Sequence, residues 1–297
     1  MRITQSMMTS SMMSGLQGNY RRLDKYQEQM MTQRRINRPS DDPVGVASAL
    51  QYRGQITATT QFEQNADDAD AWLKYGDTVM TEVTQIIQKL SELAVQGGTD
   101  TVPKDARENI AAEVDQLFQQ LVSLGNSQFK GKYIFNGERT DERPFPEDPT
   151  QTSYSLDNGE VRYQVGAGIT VSVNTLGEQV FGTFGDTSGI FAVVDNLKKA
   201  LLADDTAGIQ SAIPSLQKNL ETTITAQAEM GGKQNRLEFT LSRLGDLNLN
   251  YMDLQSKVED ADISKVIIDL KTSESVYQAS LDTMARIIRP SLLDFLR

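Results

Sequence analysis

The sequence predicts a mainly α protein with a β-rich insertion: a long antiparallel helical bundle or coiled coil formed by both chain ends, plus a small outer β domain. Three observations point there. Apolar residues recur every seven positions toward both termini, which is the spacing of a single helical face. Across residues 131–189 the period drops to two, the spacing of strands. Strong breakers, Pro39 with Pro43 and Gly97 with Gly98, divide the helical stretches.

Near the N-terminus Leu16, Leu23 and Met30 repeat at sevens, with Met12, Tyr20 and Tyr26 on the same face. Gly15 and Gly18 fall inside this stretch. Each glycine costs about 1 kcal/mol relative to alanine in a helix interior, so the isolated segment is expected to be marginal. The run Asn37-Arg38-Pro39-Ser40-Asp41-Asp42-Pro43 then stops it, because a proline pushes the residue before it out of the α region. Asp42 ahead of Pro43 reads as an N-cap followed by proline at the first helical position. The helix that starts there carries Val44, Ala47 and Leu50, then Phe62, Ala66 and Ala69, then the series Leu73, Met80, Ile87 and Ala94. Gly97-Gly98 closes it, and Pro103 opens another with Ile110, Val114, Leu117, Leu121 and Leu124.

The insertion reads as short strands at Tyr133-Ile134-Phe135, at Tyr154 with Leu156, at Val161, Tyr163 and Val165, and at Ile169, Val171 and Val173. Asp157-Asn158-Gly159 reads as a tight hairpin turn, since Asn-Gly supplies the positive φ such turns need. Helical pattern resumes at Ile190. Leu216, Met230, Leu237, Leu244, Tyr251 and Val258 share one heptad position, with breaks expected at Pro214 and at Gly231-Gly232. Ser256-Lys257-Val258-Glu259 matches a capping box at a helix junction, and Asp262 is placed to cap the last helix. That helix bears Ile263, Leu270, Tyr277 and Met284, flanked by Ile267, Leu281 and Ile288.

Each long helix has one apolar face and needs a partner, and the matching helices lie on opposite sides of the insertion. The expected division is therefore a terminal helical domain from residues 1–43 and 259–297, a long-helix bundle from 44–130 and 190–258, and the outer β domain at 131–189. In the terminal domain Met12, Leu16, Tyr20, Leu23 and Met30, with Ile263, Leu270, Tyr277, Leu281, Met284 and Ile288, are expected to form the assembly interface. The cost of ordering these ends is expected to be offset by neighbouring copies, so that they become ordered on assembly.

Composition narrows the function. The 297 residues contain no cysteine and no histidine, which removes disulfides, thiolate metal sites and the commonest general base. No cofactor and no catalytic residue is expected. A net charge of −11 opposes nucleic-acid binding, which needs clustered Lys and Arg. The exception is the first 40 residues, where Arg2, Arg21, Arg22, Lys25, Arg34, Arg35 and Arg38 face only Asp24 and Glu28; this reads as a solvated or acid-facing helix side. No stretch is apolar enough to span a bilayer and no cleavable signal opens the chain, so if the protein leaves the cytoplasm it is expected to do so without a conventional cleaved signal.

The clusters Asp67-Asp68-Ala69-Asp70 and Glu259-Asp260-Ala261-Asp262 lack the spacing of a calcium loop and read as a solvated face and a helix junction. Gly231-Gly232-Lys233-Gln234 lacks the upstream glycine and the hydroxyl residue of a phosphate loop. Met1, Met7, Met8, Met12, Met13, Met30 and Met31 crowd the start of the chain. They read either as helix filler or as a deformable contact surface, since thioether chains repack against more than one shape.

Together these features resemble the flagellin family. The stretch from Leu23 through Gln33-Arg34-Arg35-Ile36-Asn37-Arg38-Pro39-Ser40-Asp41-Asp42-Pro43 looks like the family signature, in which a helix ends in a proline-framed Asp-Asp turn. Val258-Glu259-Asp260-Ala261-Asp262-Ile263 and the closing Leu-rich helix are similar to the family's other end, and Gly131-Lys132-Tyr133-Ile134-Phe135-Asn136-Gly137 resembles its exit into the outer domain. The opening Met1-Arg2-Ile3-Thr4 and the ending Arg289-Pro290-Ser291-Leu292-Leu293-Asp294-Phe295-Leu296 favour a junction member over a minor flagellin that forms the filament itself. The resemblance implies a non-enzymatic subunit in a ring of identical copies at the hook-filament junction, outside the cell. It also implies flagellin and hook-associated protein 1 as neighbours, a flagellar export chaperone on the C-terminal region, and neither nucleic acid nor membrane insertion.

Overall fold

A computed structural model of the chain describes residues 5–99 and 102–288. In order, the elements are α1 (Gln5–Thr32), α2 (Pro43–Gly97), α3 (Lys104–Gly125), β1 (Gln128–Phe129), β2 (Lys132–Tyr133), β3 (Arg162–Gly166), β4 (Ile169–Ser172), α4 (Gly177–Phe181), α5 (Ile190–Leu202), α6 (Thr206–Glu259) and α7 (Ile263–Ile288). The fold is thus mainly α, with long helices toward both ends and two small antiparallel sheets between them. Among the described residues no helix is long and apolar enough to cross a membrane.

The chain forms two compact units. One is Met1–Ala58 with Asp246–Arg297, the other Thr59–Gly245, and α2 and α6 each contribute residues to both. The second unit holds the core. Leu73, Met80, Ile87 and Leu90 of α2, Leu121 of α3, Leu197 and Leu201 of α5, and Leu216 and Leu237 of α6 are all buried in one cluster. Fully burying one such side chain contributes about 1.5–3 kcal/mol, so this unit is stabilised within the single chain. The heptad series places these residues on inward faces, and Gly97 allows a close approach of α5: a Cβ there would lie 2.6 Å from Leu201 Cδ2. Four phenylalanines, Phe135, Phe145, Phe181 and Phe191, pack ring against ring at 5.1–5.5 Å beside the α5 end of the cluster.

Several sequence expectations need correction. Tyr154 and Leu156 form no strand, and Tyr133-Ile134-Phe135 contributes only Tyr133 to β2, because Ile134 and Phe135 turn inward to be buried. Asn158-Gly159 is not a hairpin turn. The β1–β2 hairpin turns instead at Lys130 (φ 50) and Gly131 (φ 79), the paired positive φ values of a two-residue turn. The β3–β4 hairpin turns at Ala167-Gly168, with Gly168 at φ 73. Neither Pro214 nor Gly231-Gly232 interrupts α6. A helix-interior proline costs about 3 kcal/mol, but Ile209, Ala212 and Leu216 around it are buried and hold the helix to the core. Ser256 caps no helix; α6 continues to Glu259, and the Ser256 hydroxyl donates to Asp260 Oδ2 at 2.6 Å.

Candidate assembly interface

α1 and α7 pack against each other in antiparallel directions. Asn19 Nδ2 donates to Ser280 Oγ at 2.6 Å, and the Tyr20 and Tyr277 rings lie 5.9 Å apart at 54°. To one side of this waist Met12, Gly15, Leu16, Val276, Ala279 and Met284 help line a cavity of about 370 Å³. To the other side Arg22, Tyr26, Asp269 and Thr272 line one of about 200 Å³. This hydrogen bond and this ring contact hold the pair at its waist, with open space on both sides.

None of the seam residues whose side chains are described is buried. Met12, Leu16, Leu23, Ile263, Leu270, Tyr277 and Met284 are half-buried, and Tyr20, Met30 and Leu281 are exposed. The structure brings Met12, Leu16 and Met284 around one cavity and Tyr20 against Tyr277; the Ile288 side chain lies outside the described residues. In α1 the only buried residue among those described is Gln29, and in α7 it is Val266. Asn19 and Ser280 were not legible as seam residues, because a search for apolar repeats passes over polar groups. The spacing of Asn19 between Leu16 and Leu23 was the available signal, since a single polar residue in a helical seam sets register.

The turn after α1 ties the two chain ends together. Gln33, at φ 59, ends the helix. Arg35 N–H then donates to the Glu259 carbonyl at 2.7 Å and Ala261 N–H to the Gln33 carbonyl at 3.0 Å, with Arg34 opposite Asp260. Arg35 Nη2 donates to the Val258 carbonyl at 2.8 Å, and the buried Gln29 donates to the Arg35 carbonyl at 2.8 Å. At the centre sits the Glu259 carboxylate, 4% exposed, which accepts from Arg53 and from Gln255 Nε2 at 2.9 Å and forms an ion pair with Arg34 at 3.2 Å. Glu259 is the main residue missed from sequence. Its signal was the excess of arginine near the N-terminus set against the acidic run 259–262.

The signature residues build the turn itself. Asp41 Oδ2 accepts from the N–H groups of Asn37 (3.3 Å) and Arg38 (3.0 Å), and Lys25 pairs with its other oxygen at 3.2 Å. Asp42 Oδ1 accepts from Gly45 N–H at 2.9 Å, capping α2, with Pro43 at the first helical position where no N–H is needed. Arg35 reaches Asp42 and Arg38 reaches Glu28, each at 3.2 Å. Pro39, Ile36, Val46 and Leu50 help enclose a cavity of about 280 Å³ beside Arg53 and Glu259. A Cβ on Gly45 would come within 2.5 Å of Asp42 Oδ2 and 2.6 Å of Ile36 Cδ1, so a larger residue there displaces the capping carboxylate and the Ile36 side chain. At the C-terminal side Asp262 Oδ1 accepts from Lys265 N–H at 3.2 Å and caps α7. These groups organise backbone and charge; among the described residues no cluster of three potential ligands could hold a metal.

Both aspartates of the turn are held below their ordinary value. Partial burial raises Asp41, but the Arg38 N–H and the Lys25 ammonium outweigh it; at Asp42 the Gly45 N–H is the main cause, helped by Arg35. Groups lowered on folding stabilise the fold above the unfolded value of about 3.9 and lose that contribution as pH falls through the folded one. The protection of the Gly45 and Val46 amides, relative to their intrinsic exchange rate at each pH, is therefore expected to fall below about pH 4. Asp42→Asn, which keeps the capping acceptor without the charge, should flatten that dependence. Unchanged protection of these amides in the parent chain between pH 6 and pH 3 would rule the cap out as the titrating element.

Residues 3–140 match the bacterial flagellin N-terminal helical region. The chain is 27% identical over 303 residues to flagellar hook-associated protein 3 of Escherichia coli (strain K12), covering 94% of this chain and 95% of that protein. It is 24% identical over 300 residues to flagellin of Bacillus subtilis (strain 168), covering 96% of each. Among solved structures it shares its fold with a putative flagellar hook-associated protein from Vibrio parahaemolyticus, at a TM-score of 0.69 and 16% identity over 74% of this chain and 100% of that one.

Proposed function

We propose that the chain is a member of the bacterial flagellin family, a structural, non-enzymatic flagellar protein, and that it is the subunit joining the hook-side junction ring to the flagellin filament. In this reading its neighbours are identical copies within a ring, hook-associated protein 1 on the hook side and flagellin on the other. A flagellar export chaperone holds the C-terminal region beforehand. The protein leaves the cell without a cleaved signal and resides at the hook-filament junction. Residues 1–43 with 259–297 become ordered on assembly, 44–130 with 190–258 act as a helical bundle, and 131–189 form an outer β-rich part.

One observation carries this reading: α1 and α7 cover each other only halfway. Ordering a residue costs about 1–2 kcal/mol of backbone entropy, and burial returns about 25 cal/mol per Å². Half-buried seams return too little for two helices of this length, whereas the buried core of Thr59–Gly245 returns enough. Neighbouring copies would supply the missing cover. The similarity to Bacillus subtilis flagellin over nearly the whole chain favours a second reading, a minor flagellin that forms filament itself.

Hydrogen exchange on the dilute chain, followed by exchange on chain docked onto isolated hook ends, tests the proposal. Amides of α1 and α7 are expected to exchange quickly in the free chain and become strongly protected on docking, while the Thr59–Gly245 core is protected in both. Strong protection of both terminal helices in the free chain would contradict the proposal. Growth of long filaments from seeds of the purified chain alone would transfer support to the second reading.

A further inference from the structure

α1 concentrates the reachable thioethers of this protein. Met7, Met8, Met13, Met30 and Met31 are exposed on it, Met31 at 85% and Met7 at 63%. Elsewhere among the described residues Met252 is exposed, while Met80 and Met230 are buried in the core. The sequence contains no cysteine or histidine, and its single tryptophan, Trp72, is buried. A solvent-borne oxidant therefore meets methionine sulfur, most of it on one helix. Thioether side chains are apolar and adapt to irregular surfaces; their sulfoxides are polar and chiral.

We propose that α1 is an oxidation-sensitive docking element, in which a hydroperoxide converts its exposed methionines to sulfoxides in the undocked subunit and so bars the helix from its apolar partner surface. The inference rests on the reading that α1 docks. In the reaction a sulfur lone pair attacks one peroxide oxygen; the S–O bond forms as the O–O bond breaks. Sulfur loses two electrons, hydrogen peroxide is reduced to water, and each methionine consumes one equivalent. A sulfoxide oxygen buried without a hydrogen-bond donor is unfavourable, so an oxidised α1 loses affinity for the surface that would cover it. Met80 and Met230, enclosed by the core, are shielded, so the Thr59–Gly245 unit keeps its packing. Reduction of the sulfoxides by methionine sulfoxide reductases would make the block reversible.

The test uses full-length chain treated with hydrogen peroxide until mass spectrometry shows the α1 peptide oxidised. Docking onto isolated hook ends is compared with the same chain untreated, and with a chain lacking residues 1–32. Docking of the oxidised chain is expected to fall at least tenfold, with an unchanged thermal transition, and to return after reductase treatment. A variant carrying Met7→Leu, Met8→Leu, Met13→Leu, Met30→Leu and Met31→Leu, compared with its own untreated sample, should keep its docking level through peroxide exposure. Undiminished docking by a chain with fully oxidised α1 overturns the inference, as does a quintuple variant that loses as much as the parent. If the chain lacking residues 1–32 docks as the full chain does, the docking role of α1 itself fails, and the inference with it.

Discussion

A chain carrying Leu16→Asp is expected to dock at least 100-fold more weakly than the parent, about 2.7 kcal/mol, while unfolding of the Thr59–Gly245 unit is unchanged. Leu16 is half-buried beside the cavity it shares with Met12 and Met284. In the free chain a carboxylate placed there can turn into that open space and stay hydrated, so the expected stability change is below about 1 kcal/mol. Once a neighbouring copy fills the space, the same carboxylate is desolvated without a partner, and the cost rises steeply. Sedimentation with isolated hook ends measures the first quantity and calorimetry the second. Docking at the parent level would remove the α1 seam from the interface.

The second large effect concerns Glu259. Removing both guanidinia with Arg34→Ala and Arg53→Ala leaves a buried carboxylate with Gln255 as its remaining side-chain donor among those described here. An uncompensated buried charge typically costs about 3–5 kcal/mol, far above the 0–1 kcal/mol of an exposed pair. The Met1–Ala58 and Asp246–Arg297 unit should loosen accordingly, with faster exchange at the Arg35 and Ala261 amides that bridge the two chain ends. Adding Glu259→Gln to the double variant should restore most of the loss, because a neutral amide needs no counter-charge. A loss under about 1 kcal/mol in the double variant would show that the clasp is no stronger than a solvated surface pair.

The helical framework was legible because helix signals are local. Asp42 with Pro43 starts α2 and Gly97 ends it, and the heptad series Leu73, Met80, Ile87 lies on the buried face. The insertion was less legible. Alternation found β3 and β4, but Tyr154 follows the same pattern and instead packs its ring against Phe145 at 5.3 Å. Short alternating runs do not distinguish a paired strand from a loop pressed onto an aromatic core. Asn158-Gly159 carried the stronger turn signal, yet the chain turns at Lys130-Gly131 and at Ala167-Gly168, where strand pairing determines the position.

Within the candidate interface the same difference holds. By itself the amino-acid order determined the ends of α2, which face of the long helices is apolar, and which chemistry the missing cysteine and histidine remove. Those properties depend on residues three to seven positions apart. Only the tertiary structure decided that Glu259 is buried between Arg34 and Arg53, that Asn19 bonds Ser280, and that Pro214 lies inside a continuous helix. The strength of an ion pair or a polar seam contact depends on how much water surrounds it, and that is set by chain segments more than 200 residues away: Arg53 and Glu259 are 206 positions apart, and Asn19 and Ser280 are 261 apart.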